Sequence, residues 1–193
     1  FSQNMGVPNL AGEQPGEAYY LSPLGGFVFG VVDCAGKPTC LAAHTYFETD
    51  GKKGGNNVAS MLWNELTRKG LTQGAKCESI NIVMDNCWGQ NKNRMVIRLL
   101  FILINRRLCR MARLVFLIKG HTKNDCNRMF NLMKKEYRNT NCYTPKQMLE
   151  FVARAHQDIE LVDVMNGGGG FHDWDSYDDK YMEVPTGIIP HHV

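Results

Sequence analysis

Short apolar runs alternate along the chain with longer segments in which apolar residues recur at helical spacing. Five of the runs are rich in β-branched and aromatic residues and end at polar or turn-forming residues, which predicts β-strands. The predicted strands are Phe27–Val32, Thr39–Phe47, Ser79–Met84, Arg113–Ile118 and Ile159–Val164. The first two are separated by a short turn-like segment, so they are predicted to form a hairpin.

Four segments place apolar residues on one face at a period of 3.6 residues, which predicts helices. They are Asn57–Lys69, Asn91–Leu108, Asn124–Tyr137 and a helix that starts at Thr144 and Pro145. The second is apolar almost all round and is therefore predicted to be central. Strands in a hairpin, followed by alternating helices and strands, predict an α/β fold in which helices flank a mixed, partly parallel sheet.

The length of 193 residues suits one domain with a substantial core. Residues 1–26 are rich in Pro and Gly and predict an irregular N-terminal arm on a core that extends to residue 166. The run Gly167–Gly170 predicts a flexible joint, and the tail from there to residue 193 is expected to pack on the core. The chain begins at Phe1 rather than Met, which indicates a fragment of a longer protein.

Composition narrows the class of protein without identifying a partner. A net charge of +3 permits an acidic polymer as partner, although clustered charge decides nucleic-acid binding. The seven cysteines include no CxxC pair, which argues against structural zinc and favours reduced thiols in the nucleus or cytoplasm. The longest apolar stretch, Leu99–Ile104, is too short to span a membrane. We therefore expect an intracellular protein that does not enter a membrane.

Three carboxylates follow predicted strands. Asp33 comes after the first strand, Asp85 after the third, and Asp125 lies at a helix start beyond the fourth. In open α/β sheets, function concentrates beyond the carboxyl ends of strands. Converging carboxylates are the ligands that Mg²⁺ or Mn²⁺ requires for two-metal phosphoryl transfer. The alternative is that all three are solvated turn residues.

The segment DNCWGQNKN, residues 85–93, is dense in amides between a predicted strand and a predicted helix. Amide side chains and helix N-terminal N–H groups suit a phosphate backbone. The candidates for nucleic-acid contact are Asn86, Gln90, Asn91, Lys92 and Arg94. The competing interpretation is that Asn91 and its neighbours only cap the helix.

His121 lies in a predicted loop and is a candidate base or orienting group. Basic residues recur through the same half of the chain and are the best candidate for a track that binds a polyanion: Arg94, Arg98, Arg106, Arg107, Arg110, Arg113, Arg128, Lys134, Lys135 and Arg138. Their stems also suit a solvated face. A small-molecule enzyme of the doubly wound type is disfavoured, because neither a dinucleotide fingerprint nor a P-loop occurs.

The segments DNCWGQNKN and GHTKNDCNRMFNLMKKEY resemble a eukaryotic, transposase-derived domain of unknown function with a ribonuclease-H-like fold. The segments FSQNMGVPNL, GEAYYLSPL, ETDGKKGGNNVASML and FHDWDSYDDKYMEVPTG follow the same pattern, so the resemblance covers nearly the whole chain. The tail and the CNRMFNLMKKEY variant are most similar to oomycete members. The resemblance implies DNA as partner, a nuclear or cytoplasmic location, and metal-dependent cleavage or strand transfer as the ancestral reaction.

The resemblance also assigns residue roles. Asp85 matches the second carboxylate of the catalytic triad, and the first would lie immediately before Phe1. Asn127 stands where the family often has Asp, with Asp125 two positions earlier, and His121 matches the family pattern. We therefore expect Asp85 as principal ligand, Asp125 or less favourably Asp33 as its partner, and weak or no activity. The competing hypothesis is a domesticated interaction or structural protein, with a protein partner or a second copy in place of DNA.

Overall fold

The computed structural model describes residues 2–12, 16–20, 22–35, 39–73, 77–85, 91–118, 124–174 and 176. Six strands occur in this part of the chain: β1 (Ser2–Val7), β2 (Leu24–Val32), β3 (Leu41–Phe47), β4 (Cys77–Met84), β5 (Cys109–Phe116) and β6 (Ile159–Asp163). The α-helices there are α1 (Gly55–Arg68), α2 (Arg94–Asn105), α3 (Asp125–Arg138) and α4 (Pro145–Arg154), with 3-10 turns at Gly16–Tyr20 and Leu71–Gln73.

The strands form two sheets. The main sheet has the order β1-β2-β3-β6, with antiparallel pairs except for the parallel pair β3–β6. The small sheet consists of β4 and β5, which run parallel because α2 connects them as a crossover helix. The predicted mixed α/β class is confirmed, as are the hairpin β2–β3 and all four helices, with boundaries shifted by a few residues.

The prediction of an irregular arm over residues 1–26 is wrong. This segment contains β1 and the first residues of β2, which pair in register from Ser2 with Phe29 to Val7 with Leu24. Asn, Gln and Gly are poor strand formers, so cross-strand pairing rather than propensity makes β1 a strand. Gly26 lies in β2, and the absence of a side chain there leaves room for Met148 of α4, which packs where a β-carbon would lie.

Both faces of the main sheet are covered by helices. On one face, α3 and α4 pack on β2 and β3 around Phe130, Met133 and Phe151. The other face packs on α1 and α2 through Phe29 and Tyr46. All seven residues of β3 are buried as a result.

Among the described residues, the small sheet is covered on one face only. Leu100 and Leu103 of α2, with Leu71, pack against the side of β4 and β5 that carries Ile80 and Leu114. The opposite side, called here the open face, consists of six exposed residues: Ser79, Asn81, Val83, Met111, Arg113 and Val115. Within β4 itself, Glu78, Ser79, Asn81 and Val83 are exposed, so the strand is not buried on both sides.

The segment after β6 turns back onto α1. Gly167, Gly169 and Gly170 have positive φ angles of 96°, 88° and 67°, a region open to glycine, and they form the turn. Trp174 is buried, and its Nε1–H donates a hydrogen bond of 2.9 Å to Ser60 Oγ. None of the helices in the described part of the chain has both the length and the apolar character that a membrane span needs.

Candidate functional site

Asp85 is the first residue after β4, at the carboxyl end of the small sheet. β4, α2 and β5 form a parallel unit, in which the carboxyl ends of the strands and the start of the crossover helix lie at one edge. Asp85 lies at this edge because it directly follows β4. The residue is half-buried, so its carboxylate is reachable from solvent but lies against the protein.

Asn91 holds the Asp85 carboxylate. Its side chain is only 2% exposed, and its Nδ2–H donates a hydrogen bond to Asp85 Oδ1. The assignment of amide nitrogen and oxygen follows from this bond, because a carboxylate only accepts. Among the described residues, Asn91 Oδ1 has no hydrogen-bond partner although it is buried. An oxygen acceptor therefore lies beside the carboxylate, where a donor or a cation would satisfy it.

The helix cap is Asn93 rather than Asn91. Asn93 Oδ1 accepts hydrogen bonds from Met95 N at 2.9 Å and Val96 N at 3.2 Å, which defines the start of α2. The Asn93 side chain also lies where a β-carbon on Gly55 would be, so the starts of α1 and α2 are in contact. The capping interpretation thus applies to Asn93 and leaves Asn91 with a different role.

Two cationic side chains flank this edge. Lys92 lies between Asn91 and Asn93, with its Nζ 5.7 Å from the centre of the Phe116 ring at the end of β5. Arg94 is exposed at the first position of α2. The other predicted members of the site, Asn86, Gln90 and His121, lie outside the described residues.

Asp33 lies at the other end of α1. Its Oδ2 forms an ion pair of 3.4 Å with Lys69 Nζ, directly after the last helical residue. Asp85 is linked through Asn91 to the opposite end, where Asn93 meets Gly55. A helix of this length spans about 20 Å. This separation along α1 argues against Asp33 as the residue that shares a cation with Asp85.

Asp125 is the first residue of α3, and its Oδ1 lies 3.4 Å from Arg128 Nη2. The cap is Asn124, whose side chain accepts from Asn127 N at 2.9 Å. Because the helix begins at Asp125, a two-residue step of about 200° separates the directions of Asp125 and Asn127. The two side chains therefore cannot face one cation. Where residues are described, no group of three or more His, Cys, Asp or Glu side chains converges on a metal site.

The donors that are present fit a hard cation in part. Asp85 supplies a carboxylate and Asn91 a buried amide oxygen, both of the oxygen type that Mg²⁺ and Mn²⁺ take. Mg²⁺ is commonly held by only one or two carboxylates, with waters and substrate phosphates as the remaining ligands. This pair is compatible with such a site and falls short of a dedicated cage.

The basic residues between Arg94 and Arg113 do not lie along one track. Arg98 is buried, at 5% exposure. Arg106, Arg107 and Arg110 lie at the start of β5, about 25 Å from the Asp85 edge for strands of this length. Arg113 is the basic residue among the six that make up the open face. Of this group, Arg94 is close to Asp85 in sequence, and Lys92 of the amide-rich segment lies beside it.

Sequence reasoning missed a buried charge network on the main sheet. His44 of β3 is 1% exposed, and its Nε2 lies 3.2 Å from Glu65 Oε2 on α1. Arg68 donates to both Glu65 oxygens at 2.9 Å and to Glu160 Oε1 of β6 at 2.7 Å. A polar residue amid the apolar run of β3, and a Glu on the apolar face of α1, were the available signals.

This network keeps Glu65 ionised. Burial opposes ionisation, but the hydrogen bonds from His44 and Arg68 outweigh it and lower the pKa of the Glu65 carboxyl. The same contact with Glu65 raises the pKa of Arg68. His44 Nδ1 is buried without a hydrogen-bond partner among the described residues. All members lie between packed elements, so we assign the network to holding α1 on the main sheet.

A family model described as a domain of unknown function (DUF7869) matches residues 22–189. No curated protein matches the chain, and no solved structure does.

Proposed function

The chain belongs to the DUF7869 domain family, and from that premise we propose a ribonuclease-H-like core of a transposase-derived protein that binds nucleic acid. Its ancestral reaction is metal-dependent cleavage or strand transfer at a phosphodiester. The observation on which the proposal depends is the placement of Asp85 at the carboxyl end of a parallel β-α-β unit, held by a buried amide. The buried Asn91 Oδ1, which has no hydrogen-bond partner among the described residues, is the second observation in its favour.

The topology supports the fold part of the proposal. Three antiparallel strands come first, followed by α1, and then β4, α2 and β5 form the parallel unit. This is the order expected of a ribonuclease-H-like mixed sheet. Two features depart from a single sheet of that type: β6 pairs with β3, and β4 and β5 are not hydrogen-bonded to the main sheet.

The chemistry assigns a role to each residue at the edge. Asp85 holds a divalent cation, and Asn91 fixes the carboxylate and offers its own oxygen. Lys92 and Arg94 place phosphates by charge at the N-terminal end of α2. A bound Mg²⁺ or Mn²⁺ supplies charge stabilisation at the reacting phosphate. The described residues supply this site with a single carboxylate and one amide oxygen. We therefore expect nucleic-acid binding to be retained and phosphodiester cleavage to be weak.

The binding claim is tested by titrating labelled duplex DNA at several salt concentrations. We expect the logarithm of the binding constant to fall linearly with the logarithm of the salt concentration. The slope should be about −0.9 for each phosphate contact. The double variant Lys92→Ala/Arg94→Ala then reduces the slope by about 2. Lys146→Ala is the matched control, because Lys146 is an exposed lysine near the start of α4. A double variant with the slope of the unmodified protein would contradict the assignment.

The cleavage claim is tested with supercoiled plasmid and Mg²⁺ or Mn²⁺. Nicking by the unmodified chain, if above background, should be lost in Asp85→Ala and retained in Asp33→Ala. Equal nicking by the unmodified chain and Asp85→Ala would show that Asp85 is not the metal ligand.

The second candidate function is a non-catalytic interaction protein. The open face favours it, because Val83 is 51%, Met111 40% and Val115 45% exposed on one small sheet. Apolar side chains grouped on one exposed face are typical of a protein contact. Absence of duplex DNA binding at low salt would favour the interaction protein over the nucleic-acid-binding domain.

A further inference from the structure

Two cysteines face each other at the start of the small sheet. Cys77 opens β4 and Cys109 opens β5, and they are register partners on adjacent parallel strands. Neighbouring strands lie about 4.8 Å apart, and a disulfide accepts Cα separations of about 4.4–6.8 Å. The backbone thus brings both thiols within bridging range, and both cysteines are free.

Both side chains turn to the same side of the sheet. On regular alternation, Cys77 would share the open face with Ser79 and Asn81. It packs instead with Cys109 against the cluster that includes Leu71 and Leu103. The intervening Glu78 and Arg110 point to solvent, where they form an exposed ion pair of 3.9 Å. The alternation is therefore broken at the same level in both strands, which brings the two thiols together.

The thiol pair is reachable from solvent through a cavity of about 420 Å³ at the end of α2. Ile104, Leu108 and the two cysteines line it together with Arg107 and Arg110. Arg107 adds positive charge to the lining, which suits an anionic thiol reagent, whereas Arg110 is paired with Glu78. Cys77 is half-buried and Cys109 is buried, so Cys77 is the more accessible of the two.

We propose that Cys77 and Cys109 form a redox-active dithiol, which glutathione disulfide oxidises to a bridge between β4 and β5. The Cys77 thiolate attacks one sulfur of glutathione disulfide and expels one glutathione thiolate. The Cys109 thiolate then attacks Cys77 Sγ and expels the second. Two protein thiols are oxidised to one disulfide, one glutathione disulfide is reduced to two thiols, and two protons pass from the cysteines to the glutathiones.

The second step sets the pH dependence. Burial, and then the proximity of Cys77, raise the pKa of the Cys109 thiol. Only the thiolate attacks, so bridge formation accelerates as pH rises toward the pKa of Cys109. Below that range the mixed disulfide of Cys77 with glutathione accumulates.

The test is a titration of the full chain with glutathione and glutathione disulfide, followed by alkylation and peptide mapping of all seven cysteines. The expected product is a linked Cys77–Cys109 peptide pair, in a chain lighter by about 2 Da, the two hydrogens lost in the disulfide. Excess dithiothreitol should reverse it. The bridge should also raise the unfolding midpoint, because it closes a loop around α2 in the unfolded chain.

Variants separate a specific dithiol from general thiol reactivity. Cys77→Ser and Cys109→Ala should each abolish the linked pair, whereas Cys40→Ser, a matched half-buried cysteine beside β3, should leave it unchanged. If Cys109→Ala does not fold, Cys77→Ser together with mapping of the unmodified chain still decides. Stable glutathionylation of Cys77 with Cys109 left reduced at high pH would overturn the proposal, as would equal linkage among the other cysteines.

Discussion

The main sheet and the small sheet contain strands of similar apolar content, yet they are buried differently. In β3 every residue is buried, because α3 and α4 cover one face and α1 the other. In β4 and β5 only the side toward α2 is covered, and the open face is exposed. Parallel strands are usually buried on both faces, and a two-stranded sheet is marginal alone. The small sheet is thus the less supported region.

The difference separates the region that stabilises the fold from the region that bears the candidate chemistry. On the main sheet, the buried Glu65 carboxylate is paired with Arg68 and lies against the buried His44 ring. The polar groups at the Asp85 edge are partly exposed, and Asn91 Oδ1 has no partner in the described part of the chain. A buried amide oxygen without a partner, next to a carboxylate at a sheet edge, is the feature from which the proposed cation site is argued.

The largest expected effect contrasts the cores of the two sheets. Phe130→Ala removes a side chain that is 1% exposed between α3 and β2, and should cost about 3–5 kcal/mol of unfolding free energy. Val83→Ala on the open face should change it by no more than about 0.5 kcal/mol. Urea unfolding measures both. Similar costs for the two variants would mean that the open face is covered in solution.

The buried charge network provides the next effect. Glu65→Ala leaves His44 and Arg68 without their shared partner and should cost about 3 kcal/mol. Glu160→Ala is the control, because this carboxylate is half exposed and its ion pair should contribute about 1 kcal/mol or less. Thermal and urea unfolding at neutral pH compare the two, and a larger loss for Glu160→Ala would contradict the assignment.

The same network predicts a pH dependence. The pKa of Glu65 is lower in the folded than in the unfolded chain, so its ionisation stabilises the fold fully above the ordinary value of 4.5. That stabilisation is lost as pH falls through the lowered folded value. Unfolding midpoints measured from pH 7 down to acid should therefore drop less steeply in Glu65→Gln than in the unmodified chain. Parallel curves would show that Glu65 titrates normally.

A smaller effect is expected at the start of α4. Thr144 caps this helix in a capping box with Gln147, and Thr144→Ala should cost about 1 kcal/mol. Thr140→Ala is the control of the same residue type, and it removes only a side-chain bond to Glu136 O. It should cost clearly less in the same urea titration, and equal losses would contradict a capping role.

The smallest effect on stability is expected at the candidate site itself. Asp85→Asn keeps an acceptor for Asn91 Nδ2 at a half-buried position, so the unfolding free energy should change by about 0.5 kcal/mol or less. Any divalent-cation dependence of DNA binding should disappear in the same variant. A large loss of stability would identify Asp85 as a structural residue and remove the basis of the proposed metal site.

Local sequence signals predicted most of the elements. The apolar period found all four helices, and the Thr-Pro pair at residues 144–145 located the start of α4. Asp85 was correctly placed at a strand end, since the polar residues after SINIVM end the strand whatever its neighbours are. Strand β1 was missed because its residues are poor strand formers, and its hydrogen bonds come from β2.

Partners across long sequence separations could not be predicted. Asp33, Asp85 and Asp125 all follow predicted strands, so their positions in the sequence do not reveal which of them lie close together. The fold distinguishes them, because Lys69 holds Asp33 at one end of α1, Asn91 holds Asp85 at the other, and Arg128 pairs with Asp125. Which face of β4 is exposed was equally beyond the sequence, since an apolar run does not reveal how many helices cover it.

The sequence by itself therefore determined the elements, their order, the mixed α/β class and the position of Asp85 after a strand. These depend on short-range periodicity and on residues that end helices and strands. Only the tertiary structure decided which carboxylate meets Asn91, that His44 and Glu65 share a buried contact, and that Cys77 lies beside Cys109. Such contacts join residues distant along the chain, and they are fixed by sheet register and helix packing rather than by any local preference.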